Sequence, residues 1–280
     1  MAVTDLNPRV LYDSHMHTTL CKHAKGEPED YAAKAYERGL GGIIFTCHNP
    51  EPFGTADNVR MSVDQLDEYV ELVYRARDAW ADKLDVRLGL ESDYMPGFET
   101  WLEELHQKAD FEYILGSVHI SYPRYKQAYH QGSPRDYQLL YFDHLAQAAE
   151  TGLFDCLAHP DLIKQVFPAK WNPGKLIDDI LPALDRIAAT GIAMEVNTSG
   201  LIKAGREIHP NIEILSATNE REIPLVLGSD AHKPERVAAD FEQALDLIEQ
   251  AGYQQISLFG KRERTDFPLA AARRSLFTMV

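Results

Sequence analysis

Cysteine is scarce in this sequence. The 280 residues include three, Cys21, Cys47 and Cys156. An odd number in a chain of this length argues against a disulfide framework and is typical of a protein from a reducing compartment. Each of the three stands within a few residues of a histidine, and buried free cysteine usually acts as a small apolar side chain. We therefore expect all three to be small buried fillers.

Long apolar runs and an excess of positive charge are also missing. No apolar stretch approaches the roughly 20 residues that a membrane helix requires. The first residues, MAVTDLNPRV, carry neither the basic nor the apolar region of a signal peptide, so the expectation is a cytoplasmic protein without a membrane partner. A formal net charge of -15 works against attraction of DNA, and we expect no nucleic-acid partner. Bound cations would offset part of this charge locally, so the composition remains compatible with a small anionic substrate.

Internal repeats and low-complexity segments are absent as well. Apolar residues make up 45% and charged residues 25% of the chain, the balance of a soluble protein with a sizeable core. Parallel α/β barrels run to roughly 250 residues as a single unit. We therefore predict one barrel-sized domain spanning 1–280, and its oligomeric state stays unknown.

What the sequence does contain is a set of short apolar runs that end in histidine, aspartate or glutamate. A short apolar run is typical of a buried strand. When such strands are parallel, their last residues converge at one end of the sheet. The pattern therefore predicts a metal site on the rim of a barrel. The runs are LYDSHMH (11–17), IIFTCH (43–48), LGLES (88–92), ILGSVH (114–119), CLAHPD (156–161) and VLGSDAH (226–232).

Segments with helical periodicity alternate with these runs along the chain, and a further strand candidate is IAMEVNTSG (192–200). Strict alternation implies parallel strands joined by right-handed crossovers. Functional residues at strand ends favour a closed or nearly closed TIM-like barrel, of class α/β, over an open sheet. The run YQQISLFG (253–260) is either an eighth short strand or a tail packed on the barrel. The least regular stretches are 49–61, 120–135 and 200–210.

Two pairs of candidate metal ligands share the same spacing. His15 and His17 lie two apart, so on a strand both imidazoles project from the same face. Asp230 and His232 repeat that spacing at the end of another apolar run. Either pair alone could be two ordinary polar residues, but both fall at the same end of parallel strands. Glu91 lies at the end of a further apolar run. A buried carboxylate needs a cationic partner, which favours a metal ligand. The alternative is that Glu91 is a solvated loop residue.

Four single histidines extend this set, namely His23, His48, His119 and His159. Taken alone, each would more often be a hydrogen-bonded residue of the rim than a ligand. Together, the candidates comprise seven histidines, one glutamate and one aspartate, enough for more than one ion. Nitrogen and oxygen ligands without thiolate suit zinc, manganese or iron. Asp13 is placed on the same strand face and could orient an imidazole through its second nitrogen.

Seven motifs follow one another along the chain, namely DSHMHT, TCH, GLESDY, GSVH, AHPD, EVNTSG and GSDAH. In this order and at these spacings they resemble the PHP family, named for polymerase and histidinol phosphatase, and within it the stand-alone histidinol-phosphatases. The resemblance covers nearly the whole chain, from about residue 10 to the FGKRERTDFPL tail. Seven motifs in register make it specific.

The resemblance implies a distorted (β/α)7 barrel of the PHP type that holds three divalent metal ions. Its ligand pattern assigns His15, His17 and Asp230 to one ion, His119 and His159 to a second, and His23, His48 and His232 to a third, with Glu91 bridging the first two. Two departures stand out. Cys47 occupies a position where the family commonly has aspartate or glutamate, and the segment after GSVH, ISYPRYKQAYHQGSPRDY, differs from the typical continuation.

The implied activity is hydrolysis of a phosphomonoester, with L-histidinol phosphate as the leading substrate. Clustered divalent ions make hydroxide available near neutral pH and neutralise phosphoryl oxygens. Glu91, Asp230 and His232 would act at these ions, and Asp161 or a metal-bound water would protonate the leaving alkoxide. A nucleotide or sugar phosphate is the alternative substrate. A non-catalytic PHP metal-binding module is a third, less favoured interpretation.

Substrate contacts are expected from residues outside the ligand set. A basic side chain should hold the outer face of the phosphate. The candidates are Lys203, Lys164 and, third, Arg206, although each could equally be a solvated surface charge. Glu195 and Asn197 project from one face of the sixth strand and are expected to line the pocket, where a carboxylate would suit the ammonium of an aminoalcohol phosphate. The alternative for Glu195 is hydrogen-bonded structure inside the barrel.

Overall fold

Seven parallel strands form the centre of the computed structural model, which describes residues 9–54, 56 and 58–276. Their order in the sheet follows their order in the chain, and each strand is parallel to the next. Two further strands form a separate sheet. The strands are β1 (Tyr12–Asp13), β2 (Gly42–Phe45), β3 (Asp85–Asp93), β4 (Tyr113–Ser117), β5 (Cys156–Leu157), β6 (Ala193–Asn197), β7 (Leu225–Gly228), β8 (Gln255–Gly260) and β9 (Glu263–Pro268).

The first and seventh strands meet, so the sheet closes into a nearly complete barrel. Met16 and Ala231 form a parallel bridge just beyond the ends of these strands. The backbone N–H of Ser14 donates to the Leu227 carbonyl at 3.0 Å, and that of His17 donates to the Ala231 carbonyl at 2.9 Å. These contacts confirm the predicted α/β fold, a distorted (β/α)7 TIM-like barrel. They also bring His15 and His17 beside Asp230.

Helices connect the barrel strands and pack their apolar faces against them. Helix α6 shows how local sequence sets the bounds of a helix. The Asn172 side chain accepts a hydrogen bond from Lys175 N, Pro173 is the first helical residue, and Gly191 ends the helix with a φ of 73°. None of the helices within the described ranges is long and apolar enough to cross a membrane. The helices are α1 (Pro28–Glu37), α2 (Leu66–Trp80), α3 (Glu99–His106), α4 (Pro123–Tyr129), α5 (Pro134–Glu150), α6 (Pro173–Thr190), α7 (Ile212–Asn219), α8 (Phe241–Gln250) and α9 (Leu269–Leu276).

Helix α4 lies within the stretch 120–135, which the sequence placed among the least regular. Pro123 is at its first turn, but the helix has only seven residues and little local signal. Its Tyr125 side chain is buried, and the hydroxyl lies 2.7 Å from His144 Nδ1 on α5. The helix is therefore stabilised by a contact with another element, which periodicity does not reveal.

The run 253–260 contains an eighth strand, β8, which begins at Gln255 and lies outside the barrel sheet. β8 pairs antiparallel with β9 in a hairpin. Leu258 and Phe259 are buried with Tyr113, the first residue of β4, in the cluster that fills the barrel interior. The Phe259 carbonyl accepts a hydrogen bond from Arg87 Nη1, near the start of β3, at 2.5 Å. The hairpin thus covers the amino-terminal end of the barrel, opposite the predicted site.

Candidate metal centre

The polar ends of the barrel strands converge around Glu91, which is fully buried on β3. One carboxylate oxygen, Oε1, lies 3.1 Å from His159 Nε2 and 3.4 Å from His119 Nε2. The other, Oε2, lies 3.5 Å from His15 Nε2 and 3.7 Å from His17 Nε2. The carboxylate therefore stands between two pairs of histidines, as expected of a residue that bridges two ions.

His15, His17 and Asp230 form the most compact part of the cluster. The two Nε2 atoms are 3.2 Å apart, and Asp230 Oδ1 lies 3.0 Å from His17 Nε2 and 3.7 Å from His15 Nε2. Asp230 has a φ of 51°, a left-handed conformation that non-glycine residues seldom adopt. Backbone strain of this kind is concentrated at functional sites. These three residues can hold one ion among them.

His48 and His232 join the cluster on either side of His17. His48 Nδ1 lies 2.6 Å from Glu91 Oε2, and the ligand atoms of His48, Glu91 and His119 all lie within 4.8 Å of one another. Those of His17, His48 and His232 do the same. The His232 ring stacks on the His17 ring, with centroids 4.0 Å apart. His48 thus belongs to two overlapping groups of donors.

His23 completes the set at the exposed edge of the rim. Its ring stacks on that of His232 with centroids 4.5 Å apart, and it lies 5.6 Å from the ring of His48. A nitrogen of His23, a nitrogen of His232 and the sulfur of Cys21 lie within 4.8 Å of one another. The structure therefore brings all nine predicted ligands to one rim.

Glu195 lies behind the cluster and contacts two of its histidines, His15 and His159. Its side chain is buried, and its Oε1 lies 2.7 Å from His15 Nδ1. Its Oε2 accepts hydrogen bonds from His159 N at 2.8 Å and Asn197 Nδ2 at 2.9 Å. A Cβ atom on Gly228 would come within 2.1 Å of Oε1, so glycine makes room for this carboxylate. A carboxylate at Nδ1 leaves Nε2 free to bind a metal ion.

Two other predicted residues also take supporting positions. Asn197 is fully buried, and its Oδ1 accepts hydrogen bonds from Ser199 N at 2.9 Å and Ser199 Oγ at 2.6 Å, so it does not line a pocket. Asp13 accepts hydrogen bonds from the backbone N–H groups of Ser229 at 2.9 Å and His15 at 3.3 Å. It therefore anchors backbone, and the His15 imidazole is oriented by Glu195.

Asp93 and Arg60 belong to the site but were not singled out from the sequence. Asp93 Oδ1 lies 2.6 Å from His119 Nδ1 and accepts a hydrogen bond from Ser117 Oγ at 2.9 Å. Arg60, which is buried, forms an ion pair with Oδ2 of the same carboxylate. Burial would raise the pKa of Asp93, but Arg60 and His119 hold it below its usual value. Asp93 follows Glu91 by two residues, and this shared strand face was the available signal.

The predicted basic residues Lys203 and Arg206 occupy different surfaces. Lys203 Nζ lies 2.8 Å from Asp230 Oδ2, and its side chain is 34% exposed. This lysine therefore reaches both the metal centre and solvent. Arg206 is exposed and lines a separate depression together with Leu201 and Asp246. None of the nine candidate ligands lines this depression.

Lys164 and Asp161 form a buried ion pair. Lys164 Nζ donates to Asp161 Oδ2 at 2.9 Å, to Glu207 Oε2 at 3.2 Å and to the Ile208 carbonyl at 2.7 Å, so its three donors each have a partner. Burial would raise the pKa of Asp161, but Lys164 and His209 bring it below its usual value. An ionised carboxylate with these partners cannot protonate a leaving group. These contacts do not support the expectation that Lys164 holds phosphate or that Asp161 acts as an acid.

The charges of the cluster favour bound cations. Burial lowers the pKa of His15, but Glu195, Glu91 and Asp230 outweigh burial and raise it well above its usual value. The buried carboxylates thus attract positive charge to this imidazole, and a metal ion at Nε2 can supply it in place of a proton. Within the described residues, His232 Nε2 is buried without a hydrogen-bond partner. Imidazole and carboxylate donors suit zinc, manganese or iron, so the residues fit divalent metal ions.

The fold is a parallel α/β barrel, and a buried cluster of histidines and carboxylates lies at the carboxyl ends of its strands. These two features define a class of barrel proteins built around a metal centre. The model of one such family, described as the PHP domain, matches residues 13–199. The chain belongs to the PHP domain family, as its motifs predicted.

Named relatives match along most of the chain. A Deinococcus radiodurans protein named "Probable histidinol-phosphatase" is 39% identical over 259 residues, which cover 88% of this chain and 96% of that protein. The histidinol-phosphatase of Bacillus subtilis is 25% identical and covers 84% of this chain and 98% of its own length. The crystal structure of histidinol phosphate phosphatase from Lactococcus lactis, complexed with zinc, L-histidinol and phosphate, has a TM-score of 0.78 at 19% identity, covering 91% of this chain and 98% of that one. At that identity, the structural likeness shows the fold.

Proposed function

We propose that this chain is a metal-dependent phosphomonoester hydrolase that converts L-histidinol phosphate to L-histidinol and phosphate. The observation that carries the proposal is the buried Glu91 carboxylate, whose two oxygens face separate groups of histidines: Oε1 faces two of them and Oε2 faces three. Such a carboxylate can hold two ions side by side on the open rim of the barrel. The substrate is supported by the histidinol-phosphatases named above, which match more than four fifths of the chain.

Three divalent ions of zinc, manganese or iron would be bound by the nine side chains at the rim. His15, His17 and Asp230 would hold the first, Glu91, His119 and His159 the second, and His23, His48 and His232 the third, with Glu91 also contacting the first. Bound divalent ions supply hydroxide near neutral pH and neutralise phosphoryl oxygens. Two carboxylates of the chain keep the imidazoles in the binding tautomer: Glu195 contacts Nδ1 of His15, and Asp93 contacts Nδ1 of His119.

Lys203 would hold the outer face of the phosphate. One of its donors contacts Asp230 Oδ2, and an ammonium group has three. Because the side chain is partly exposed at the edge of the rim, the remaining donors can reach a phosphoryl oxygen. A charge-assisted hydrogen bond of this kind strengthens as the phosphoryl oxygens gain charge.

A substrate panel tests the proposed function. The protein would be reconstituted with manganese, iron or zinc, and kcat/KM would be compared for L-histidinol phosphate, nucleotides and sugar phosphates. We expect L-histidinol phosphate to be preferred by more than about tenfold, or about 1.4 kcal/mol. A tenfold preference for a nucleotide or sugar phosphate would reject the substrate while leaving the hydrolase in place. Full metal content without phosphatase activity would instead support a non-catalytic metal-binding module.

Replacing Lys203 by alanine should weaken catalysis without emptying the metal centre. Loss of a charge-assisted contact to phosphate costs about 1.5 to 3 kcal/mol, or roughly 10- to 150-fold in kcat/KM. Steady-state kinetics and elemental analysis of the same preparation would measure both quantities. Lys170→Ala, at an exposed position, is the matched control and should retain activity. If Lys203→Ala stays within about twofold of wild type while Arg206→Ala falls by tenfold or more, the role of Lys203 is refuted.

A further inference from the structure

Two of the three cysteines lie near histidines of the metal centre. Cys21 ends a short 3-10 turn, Thr19–Cys21, and Cys47 follows β2 directly before His48. Both side chains are fully buried. Both pack among the buried apolar residues of the main core, and each sulfur also lies near a ring nitrogen of the cluster.

The distances place Cys21 in two groups of potential ligands. Its Sγ, one nitrogen of His23 and one nitrogen of His232 lie within 4.8 Å of one another. Its Sγ, the Sγ of Cys47 and one nitrogen of His17 do the same. The Cys47 sulfur is held in place by Thr18, whose Oγ1 donates to it at 3.4 Å. Cys21 is therefore the point at which two sulfurs and three imidazoles come together.

These separations suit a metal ion with mixed ligands. A zinc ion with Zn–S and Zn–N bonds of about 2.3 and 2.0 Å holds its tetrahedral ligand atoms roughly 3.3 to 3.8 Å apart. The Cys21 sulfur and one nitrogen each of His23 and His232 lie within 4.8 Å of one another, which is close to such spacing. Thiolate is a soft ligand that favours zinc, whereas manganese favours oxygen ligands.

We propose that Cys21 supplies a thiolate to the ion held by His23 and His232, with Cys47 as a second sulfur beside it, so that this position selects zinc over manganese. Binding displaces the thiol proton of Cys21 to solvent as the sulfur–metal bond forms. The inference rests on the proposed metal centre and is independent of the substrate. It replaces the expectation that these two cysteines are fillers.

Cobalt substitution tests the inference with a spectroscopic signal. Protein depleted of metal and fully reloaded with Co²⁺ should show thiolate-to-cobalt charge-transfer absorption in the near ultraviolet. The band should be lost in Cys21→Ser and weakened in Cys47→Ser. Cys156→Ser is the matched control, because Cys156 is equally buried but lies in the cluster inside the barrel, and it should leave the band unchanged. The assignment would be overturned if the charge-transfer band persisted in Cys21→Ser. It would also be overturned if Cys47→Ser removed the band completely.

X-ray absorption at the zinc edge provides a measurement that needs no variant. The zinc-loaded wild type should show a sulfur neighbour at about 2.3 Å. In a competition between zinc and manganese, Cys21→Ser should bind about tenfold less zinc relative to manganese than wild type, a loss of about 1.4 kcal/mol. Full zinc occupancy without a sulfur neighbour would refute thiolate ligation, even if the phosphatase is active. A sulfur neighbour in a protein without phosphatase activity would support thiolate ligation and count against the proposed function alone.

Discussion

Substituting Glu91 by glutamine is expected to abolish turnover and to lower the metal content of the protein. Glutamine keeps the volume of the side chain but removes the negative charge that two groups of histidines share. Burial would raise the pKa of Glu91, but His48, His119 and His15 hold it well below its usual value, so this carboxylate is an anion at neutral pH. We expect kcat to fall at least about 1,000-fold, or about 4 kcal/mol, measured together with elemental analysis.

The matched control uses the same substitution at the other end of the barrel. Glu112 directly precedes β4 and lies 4.0 Å from Arg87 at the amino-terminal end, so Glu112→Gln should retain activity and metal. His159→Gln should cost less than Glu91→Gln, because His159 contacts one carboxylate oxygen whereas Glu91 contacts both sides of the cluster. Near wild-type kcat with full metal occupancy in Glu91→Gln would mean that this carboxylate does not bridge.

Replacing Lys164 by methionine is expected to destabilise the fold by about 3 to 5 kcal/mol, because it leaves the Asp161 carboxylate buried without its ammonium partner. Urea unfolding of the wild type and the variant at neutral pH would measure the loss. The pairing holds the pKa of Asp161 below its unfolded value, so it stabilises the fold above about pH 3.9 and is lost as pH falls through the folded pKa. The difference between the two proteins should therefore shrink in acid.

A double variant separates this structural role from a contact with substrate. Adding Asp161→Asn to Lys164→Met removes the uncompensated charge, so the double variant should lose less stability than the sum of the two single variants. If Lys164→Met instead unfolds like wild type and loses kcat/KM, the lysine acts on the phosphate as the sequence suggested. The two results therefore distinguish a structural role of Lys164 from a contact with the phosphate.

Most of the ligand set could be predicted from the sequence because eight of the nine candidates end an apolar run or share a two-residue spacing. Parallel strands carry such residues to one rim whatever the details of packing. His48 ends the run IIFTCH, whereas His23 follows no apolar run and was added as a single histidine, and both lie at the rim. The family match over residues 13–199 contains the first five motifs and most of the sixth, and it ends before GSDAH at 228–232.

The supporting residues were harder to assign because their roles depend on direction and burial. Glu195 and Asn197 alternate with apolar residues on β6, and the sequence could not tell a side chain that points at a substrate from one that points at His15. Lys164 follows a motif at the rim, which made it a candidate for phosphate, yet its side chain is 0% exposed. The ion pair between Arg60 and Asp93 joins a loop to a strand and leaves no periodic pattern.

The sequence by itself determined the barrel, the order of its strands and the rim on which the site lies, because periodicity and motif spacing are local properties of the chain. Tertiary structure alone decided which polar residues face a metal ion and which form hydrogen bonds to the metal ligands. Glu195 contacts His15 across 180 positions, and His209 contacts Asp161 across 48. Contacts at such separations depend on how closed sheets and loops pack, and burial then determines whether a charge is exposed to a substrate or neutralised inside the fold.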